Sequence, residues 1–345
     1  MQRILLYFPT INIPTDSWLY SALLYSDKVA SIVPYYDLND NHYSDTIKYL
    51  IDEQQYEPIF YGKFKLNGFY EPYREFEDFF VRTIESEDFQ NIVNRNKSIA
   101  NDFFMDLYKA KVTHLRSVLE ANDLIIQNFE NKETVQVEET TALFLMSLMA
   151  QYFSKIDKNN IIIPSTDDKR YETIAFRLPK ENKPSMNFIL DNCLPAPNLE
   201  EPIKKIVEFK IKRRDNLLEF RQYLSSIQEK IKKCESLEEI KEVQILSKET
   251  IEKEVNNLSR LYKDGNIKTF FTSFSNLLNL ENPKLFQTLT LAGVITTPIN
   301  PLAGITTGLF GIGGEMISSY LKAKREVENS EFCYLFQAKK EHLIL

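Results

Sequence analysis

Glycine is scarce in this sequence, with 9 among 345 residues, and six of the nine lie between Gly293 and Gly314. A chain so poor in glycine elsewhere suits long helices, where each glycine costs about 1 kcal/mol against alanine. Cysteine is scarcer still: Cys193, Cys234 and Cys333 are odd in number and far apart, without C-x-x-C spacing. That argues against a disulfide framework and a cysteine zinc site, and for a reducing compartment. The three histidines, His42, His114 and His342, lack metal-ligand spacing and read as ordinary surface or packed residues. No G-x-x-x-x-G-K-S/T loop is present, because Gly308 and Gly313 are followed by Gly314 and Glu315. Gly311 and Gly313 begin a G-x-G-x-x-G pattern, but Met316 stands at its third glycine. G-x-S-x-G and H-E-x-x-H are missing as well. These absences disfavour nucleotide-binding, serine-hydrolase and zinc-protease readings and leave other catalysis open. Met1-Gln2-Arg3-Ile4 runs straight into a strand-like segment without the apolar core of a signal peptide, so the expected setting is cytoplasmic.

What is there is globular: 43% hydrophobic and 26% charged residues, with a net charge of -7. Ile4 to Phe8 is a continuous apolar run. Thr15 is placed to cap a helix through Trp18, Leu19, Ala22 and Leu23, and Val29 to Val33 is a second apolar run. A strand, a helix of about three turns and another strand predict a parallel pair joined by a crossover. Ser44 caps a helix through Ile47, Leu50 and Ile51, and Pro58 to Tyr61 reads as a third strand. From Pro72 to about Asn131 the pattern is mainly helical, with Phe76, Phe79, Phe80 and Ile84 on one apolar face of an otherwise acidic stretch. Thr141 to Phe153 predicts a buried helix. Ile161 to Ile163 reads as a strand stopped by Pro164, and Met186 to Leu190 as another.

The character changes at Leu194-Pro195-Ala196-Pro197. Residues 1–195 carry 20 basic and 29 acidic side chains, whereas residues 196–281 carry 16 and 15. The second segment has helical periodicity from Ile203 to Ile231 and again from Ile240 to Leu258, which predicts two long helices in a hairpin. The expected organisation is an α/β domain over 1–195, a long helical region over 196–281 and a hydrophobic helical hairpin with a tail over 282–345. The fold class is therefore mixed α/β and helix-rich, with a short parallel sheet near the N-terminus followed by long helices.

The segments ILLYFPTINIP, ALLYSDKVASIVP, IIPSTDD and LPAPNLEEPIKKIVEFKIKRRDNLLEFR, in that order, resemble an uncharacterised bacterial family catalogued only as a domain of unknown function. The resemblance implies a bacterial cytoplasmic protein and brings no activity or catalytic residue with it.

Three groups of residues invite function. Polar residues close the proposed strands: Asn12, Asp37, Thr166, Asp167, Asp168 and Asp191. In open parallel sheets ligands bind outside the carboxyl ends of the strands. Asp37, Asp167, Asp168 and Asp191 are thus catalytic candidates, and Asp167, Asp168 and Asp191 candidates for holding magnesium. Turn and cap chemistry explains the same residue types without a ligand. Lys204, Lys205, Lys210, Lys212, Arg213 and Arg214 form a basic run suited to phosphate or lipid, or simply to a solvated helix face. The net negative charge and the lack of interleaved aromatics weigh against nucleic acid. Finally, Leu285 to Gly314 contains no charge over 30 residues. Gly304, Gly308 and Gly311 form a small stripe there, of the kind that lets helices pack closely in soluble bundles and in membranes. Thr297-Pro298-Ile299-Asn300-Pro301 interrupts the segment, which favours a buried hairpin over one bilayer span.

These features predict first a non-enzymatic interaction module that engages a protein partner or a second copy of itself. Stress response or phage defence is a setting that suits such a module. The alternatives are a metal-assisted enzyme acting on a phosphate-containing substrate at the strand-end carboxylates, and a membrane-active effector using the hairpin.

Overall fold

The structure, a computed structural model, describes residues 2–8, 10–33, 43–62, 70–97, 104–127, 133–156, 159–168, 170, 195–232, 239, 242–243, 245–247, 249–250, 253 and 330–344. The chain divides into two units, Met1–Asn187 and Phe188–Leu345.

The first unit opens with β1 (Arg3–Tyr7), α1 (Ser17–Tyr25), β2 (Lys28–Val33), α2 (Asp45–Asp52) and β3 (Tyr56–Phe60). β1 and β2 are parallel with Ile4 opposite Lys28, and β2 and β3 are parallel with Val29 opposite Tyr56. The parallel pair expected from the two apolar runs is therefore present. Ile4, Leu5 and Leu6 of β1 and Val29, Ala30, Ile32 and Val33 of β2 are all buried, as continuous apolar strands covered on both faces should be. The helix cap is one residue later than expected. Asp16, not Thr15, precedes α1, and its carboxylate accepts the Trp18 and Leu19 amides at 2.9 and 3.3 Å. A carboxylate accepts two amides at once and suits the positive end of the helix better than a threonine hydroxyl. Ser44 caps α2 as expected, accepting the Ile47 amide.

Beyond β3 the chain continues through α3 (Tyr70–Ile84) and α4 (Glu87–Lys97). The helical expectation for residues 72–131 holds through α3 and α4 and fails beyond them. β4 (Phe104–Tyr108), two short helices, α5 (Lys109–Val112) and α6 (Arg116–Ala121), β5 (Ile125–Gln127) and β6 (Thr134–Glu138) build a second sheet, antiparallel, in the order β4-β6-β5. α7 (Glu139–Ile156) follows at once, and Ala142 to Met146, Met149, Ala150 and Phe153 are buried as expected, with Leu148 half-buried. Its start is organised by Glu138, which is wholly buried. The carboxylate accepts the Thr140 amide at 3.0 Å and the Thr141 amide and hydroxyl at 2.7 Å each. Glu138→Gln replaces a charged acceptor of three bonds by a neutral amide, and should lower stability by about 1–3 kcal/mol. Urea titration checks this, and an unchanged midpoint would show that the charge is not needed there.

β7 (Ile161–Ser165) returns to the first sheet, parallel to β1, and gives the order β3-β2-β1-β7. Pro164 does not stop this strand; it pairs with Leu6 inside the ladder. The Ile161 amide donates to Gln2 O at 2.8 Å, so by the strand's alternation the amides of Ile163 and Ser165 face β1. Position 164 falls where an N–H would point to the open edge, and proline costs no ladder bond there.

In the second unit, α8 (Ile203–Lys212) and α9 (Arg214–Lys232) replace the single long helix expected, with the break at Arg213. Tyr223 of α9 donates to Ser247 O at 3.3 Å, which brings the following helical turns back against α9. α10 (Cys333–Lys340) lies on this helical pair: Phe209 packs on Tyr334 with ring centroids 5.1 Å apart, and Tyr223 on Phe332 at 5.0 Å. The Asn198 amide and side chain bond Leu343 O and His342 O. The strand expected at Met186–Leu190, the turn expected at Asp264-Gly265-Asn266 and the hairpin over 285–321 lie outside the described residues. Among the described residues no helix is long and apolar enough to cross a membrane.

Candidate functional site

From β1 the chain winds outward to β2 and β3, then crosses back to β1's other side as β7. In open parallel sheets ligands bind in the crevice outside the strands' carboxyl ends at such a reversal, here those of β1 and β7. Tyr7 and Ser165 end the two strands and are register partners. The loop after β1 is pinned by two contacts. Ser31 donates to Ile11 O at 2.6 Å, and Asn12 Oδ1 accepts the Ser44 amide at 3.0 Å. This holds Asp16 and Trp18, at the start of α1, over the crevice. Trp18 Nε1 donates to Ser165 Oγ at 3.0 Å, and its ring lies 4.8 Å from that of Tyr7.

Tyr7 donates its hydroxyl to Asp167 Oδ1 at 2.9 Å. The carboxyl of Asp16 lies against that of Asp167. Two carboxylates so placed repel each other, which favours the protonated form of one of them. Burial, and then the neighbouring Asp167 carboxyl, hold the Asp16 carboxyl above the usual range. Burial and the same Asp167 raise the Tyr7 hydroxyl far above its ordinary value, leaving it a donor.

Asp168 is engaged otherwise. Burial raises its carboxyl, but bonds from Arg170 outweigh that and hold it below the usual range. Arg170 donates Nε and Nη2 to Asp168, the latter at 2.6 Å, and Nη1 to Glu139 at 2.9 Å. The only arginine at this edge among the described residues is thus committed to two carboxylates. Asp37 and Asp191 lie outside the described residues. Among the described residues no group of three His, Cys, Asp or Glu is arranged to hold a metal ion.

The basic run does not present one face. Lys204 pairs with Glu208 and Lys205 with Glu201, Lys210 is buried, and Arg213 donates to Gln337 of α10. Lys212 and Arg214 are exposed. Gly304, Gly308 and Gly311 lie outside the described residues.

Of the sequence candidates, the structure places Asp167 in the crevice and Asp168 beside it. Tyr7, Asp16, Trp18 and Ser165 join them unannounced. The signal for Asp16 was present, an aspartate preceding a helix that follows a buried strand, but it pointed equally to a cap.

A family model matches residues 96–342, more than half of the chain. The match includes Ser165, Asp167 and Asp168 and begins after Tyr7, Asp16 and Trp18. No curated protein and no solved structure matches the chain. The kinship that the sequence segments suggested is thus shown, and the chain belongs to DUF6236, a family of unknown function.

Proposed function

We propose that the first unit binds a small polar molecule in the crevice between the ends of β1 and β7, and that the Asp16–Asp167 pair serves it as a proton donor and acceptor. The meeting of two carboxyls, Asp16 and Asp167, at the sheet's reversal point is the observation that carries this reading. Tyr7 orients Asp167 by its hydrogen bond, and Trp18 supplies an aromatic wall. A hydroxyl or amine on the ligand meets a proton acceptor in Asp167 and a donor in Asp16. A phosphate meets carboxylates and an arginine already committed to Asp168 and Glu139, so the phosphate-containing substrate draws no support from this geometry. The interaction-module reading has less to rest on. Ile211, Leu218, Ile245 and Leu246 are exposed in the second unit, but scattered apolar side chains need no partner.

Trp18 is the only tryptophan of the chain, so its fluorescence reports on this crevice alone. Its emission should change with pH as the pair's proton leaves, at a pH above the ordinary aspartate range. For an acid with a raised folded-state pKa, the stabilisation is full below the unfolded value and is lost as pH rises through the folded value. Asp16→Asn keeps a good helix cap and offers Asp167 an N–H at every pH. It should flatten both the emission change and the associated loss of thermal stability. A wild-type emission profile without that transition, or one unaltered in the variant, would remove the pair's proton and the function built on it.

A further inference from the structure

A second site lies at the far edge of the same sheet. Tyr61 directly follows β3 and is buried, as is Tyr73 on α3. Their hydroxyls are 3.4 Å apart, and Tyr73 donates to Glu77 Oε1 at 2.5 Å, one helical turn on. Burial pushes the Tyr61 hydroxyl up to about 12 and that of Tyr73 higher, so Tyr73 remains a donor and Glu77 Oε1 stays occupied. Glu77 Oε2 accepts no bond from a described residue. His114, from the turn between α5 and α6, stacks on Tyr61 with centroids 5.9 Å apart at 15°, and stands edge-on to Tyr73 at 5.8 Å.

Glu77 and His114 line a cleft of about 530 Å³ between α3 and α6, within the size range of small-molecule sites. Val81, Leu115 and Val118 supply its apolar walls. Asp78, Arg82 and Ser117 complete the lining. Arg82 turns its Nε back onto Asp78 O at 3.1 Å. Two carboxylates therefore face the cleft against one guanidinium, and one carboxylate oxygen is held ready by a buried tyrosine pair. An anion would be repelled, and an uncharged apolar body would leave Glu77 without a partner for its second oxygen. A cationic head on an apolar body satisfies both parts.

We propose that this cleft binds a primary amine carried on an apolar body, with the ammonium on Glu77 and the body between Val81, Leu115 and Val118. The site is separate from the crevice at β1 and β7, and neither reading depends on the other.

The test uses the full chain and 2-phenylethylamine as probe, with 3-phenylpropionate as the anionic counterpart of similar size, both followed by calorimetry. The amine should bind and the carboxylate should not. Glu77→Gln should weaken the amine roughly tenfold or more, because a charge-assisted bond becomes a neutral one. Ser117→Trp, at an exposed position on the cleft's edge, should block binding while leaving the circular dichroism unchanged, which guards against a Glu77 variant that merely loses its fold. In the parent chain and in Glu77→Gln, where Trp18 is the only tryptophan, its fluorescence should stay silent. No amine binding, equal binding of the carboxylate, binding unaltered in both variants, or a Trp18 emission change showing that the amine sits in the other crevice would each overturn the assignment.

Discussion

Phe144→Ala should lower the stability of the first unit by about 3–5 kcal/mol, the usual cost of emptying a phenylalanine site in a core. Phe144 lies on α7 and is 1% exposed. Its ring stacks on Phe80 at 5.7 Å and 14°, and lies 5.7 Å from Phe89 and 6.3 Å from Phe79. Three helices, α3, α4 and α7, meet on this one side chain. Removing it takes away apolar burial and also the aromatic contacts of its neighbours, which cannot close the space without moving whole helices. Denaturant titration followed by Trp18 fluorescence measures the loss in the unit concerned. A loss below about 1 kcal/mol would show that the cluster repacks, contrary to this account.

Lys111→Met should act in the opposite direction. Lys111 is 2% exposed on α5, and no hydrogen bond or ion pair joins it to a described residue. Burial alone lowers its amine from 10.5 to about 8. The folded chain therefore binds fewer protons than the unfolded one between these values. Stability attributable to this group rises with pH across that window, and below it the penalty is complete. A difference of this size corresponds to about 2–4 kcal/mol at neutral pH, at 1.36 kcal/mol per unit. Methionine fills similar space without the charge, so the variant should gain most of that amount at pH 7 and lose the pH slope above 8. Thermal melts at pH 7 and pH 10 check both statements. A destabilised variant would mean that the ammonium is stabilised in the folded chain by a group that offsets its burial.

The two halves of this unit were unequally legible. β1, α1, β2, α2 and β3 could be read because each is a self-sufficient local signal: a continuous apolar run, a cap residue, a 3.6-residue periodicity. The antiparallel sheet could not be read from most of its strands. β5 has three residues, and in β4, Phe-Met-Asp-Leu-Tyr, only Leu107 is buried. Such strands are held by their ladder with β6 and carry little pattern of their own. β6, Thr-Val-Gln-Val-Glu, does alternate, and was the one signal in that stretch that went unread. His114 looked ordinary for a related reason, since nothing near it in sequence announces Tyr61, Tyr73 or the cleft.

Composition and periodicity by themselves settled the class of the chain, the parallel start of its sheet and the burial of α7, because burial of apolar surface is encoded residue by residue. They also marked Asp167 as a strand-end carboxylate. They could not say which strand lies on the other side of β1. That choice depends on β7 docking from far along the chain, with its proline turned to the open edge, and only the folded sheet makes it. Once it is made, Tyr7 meets Asp167, Trp18 meets Ser165, and a helix cap at Asp16 is brought against a second carboxyl. Proximity across so long a separation in sequence is a property of the packed whole, whose strands are placed by the burial of all their faces together.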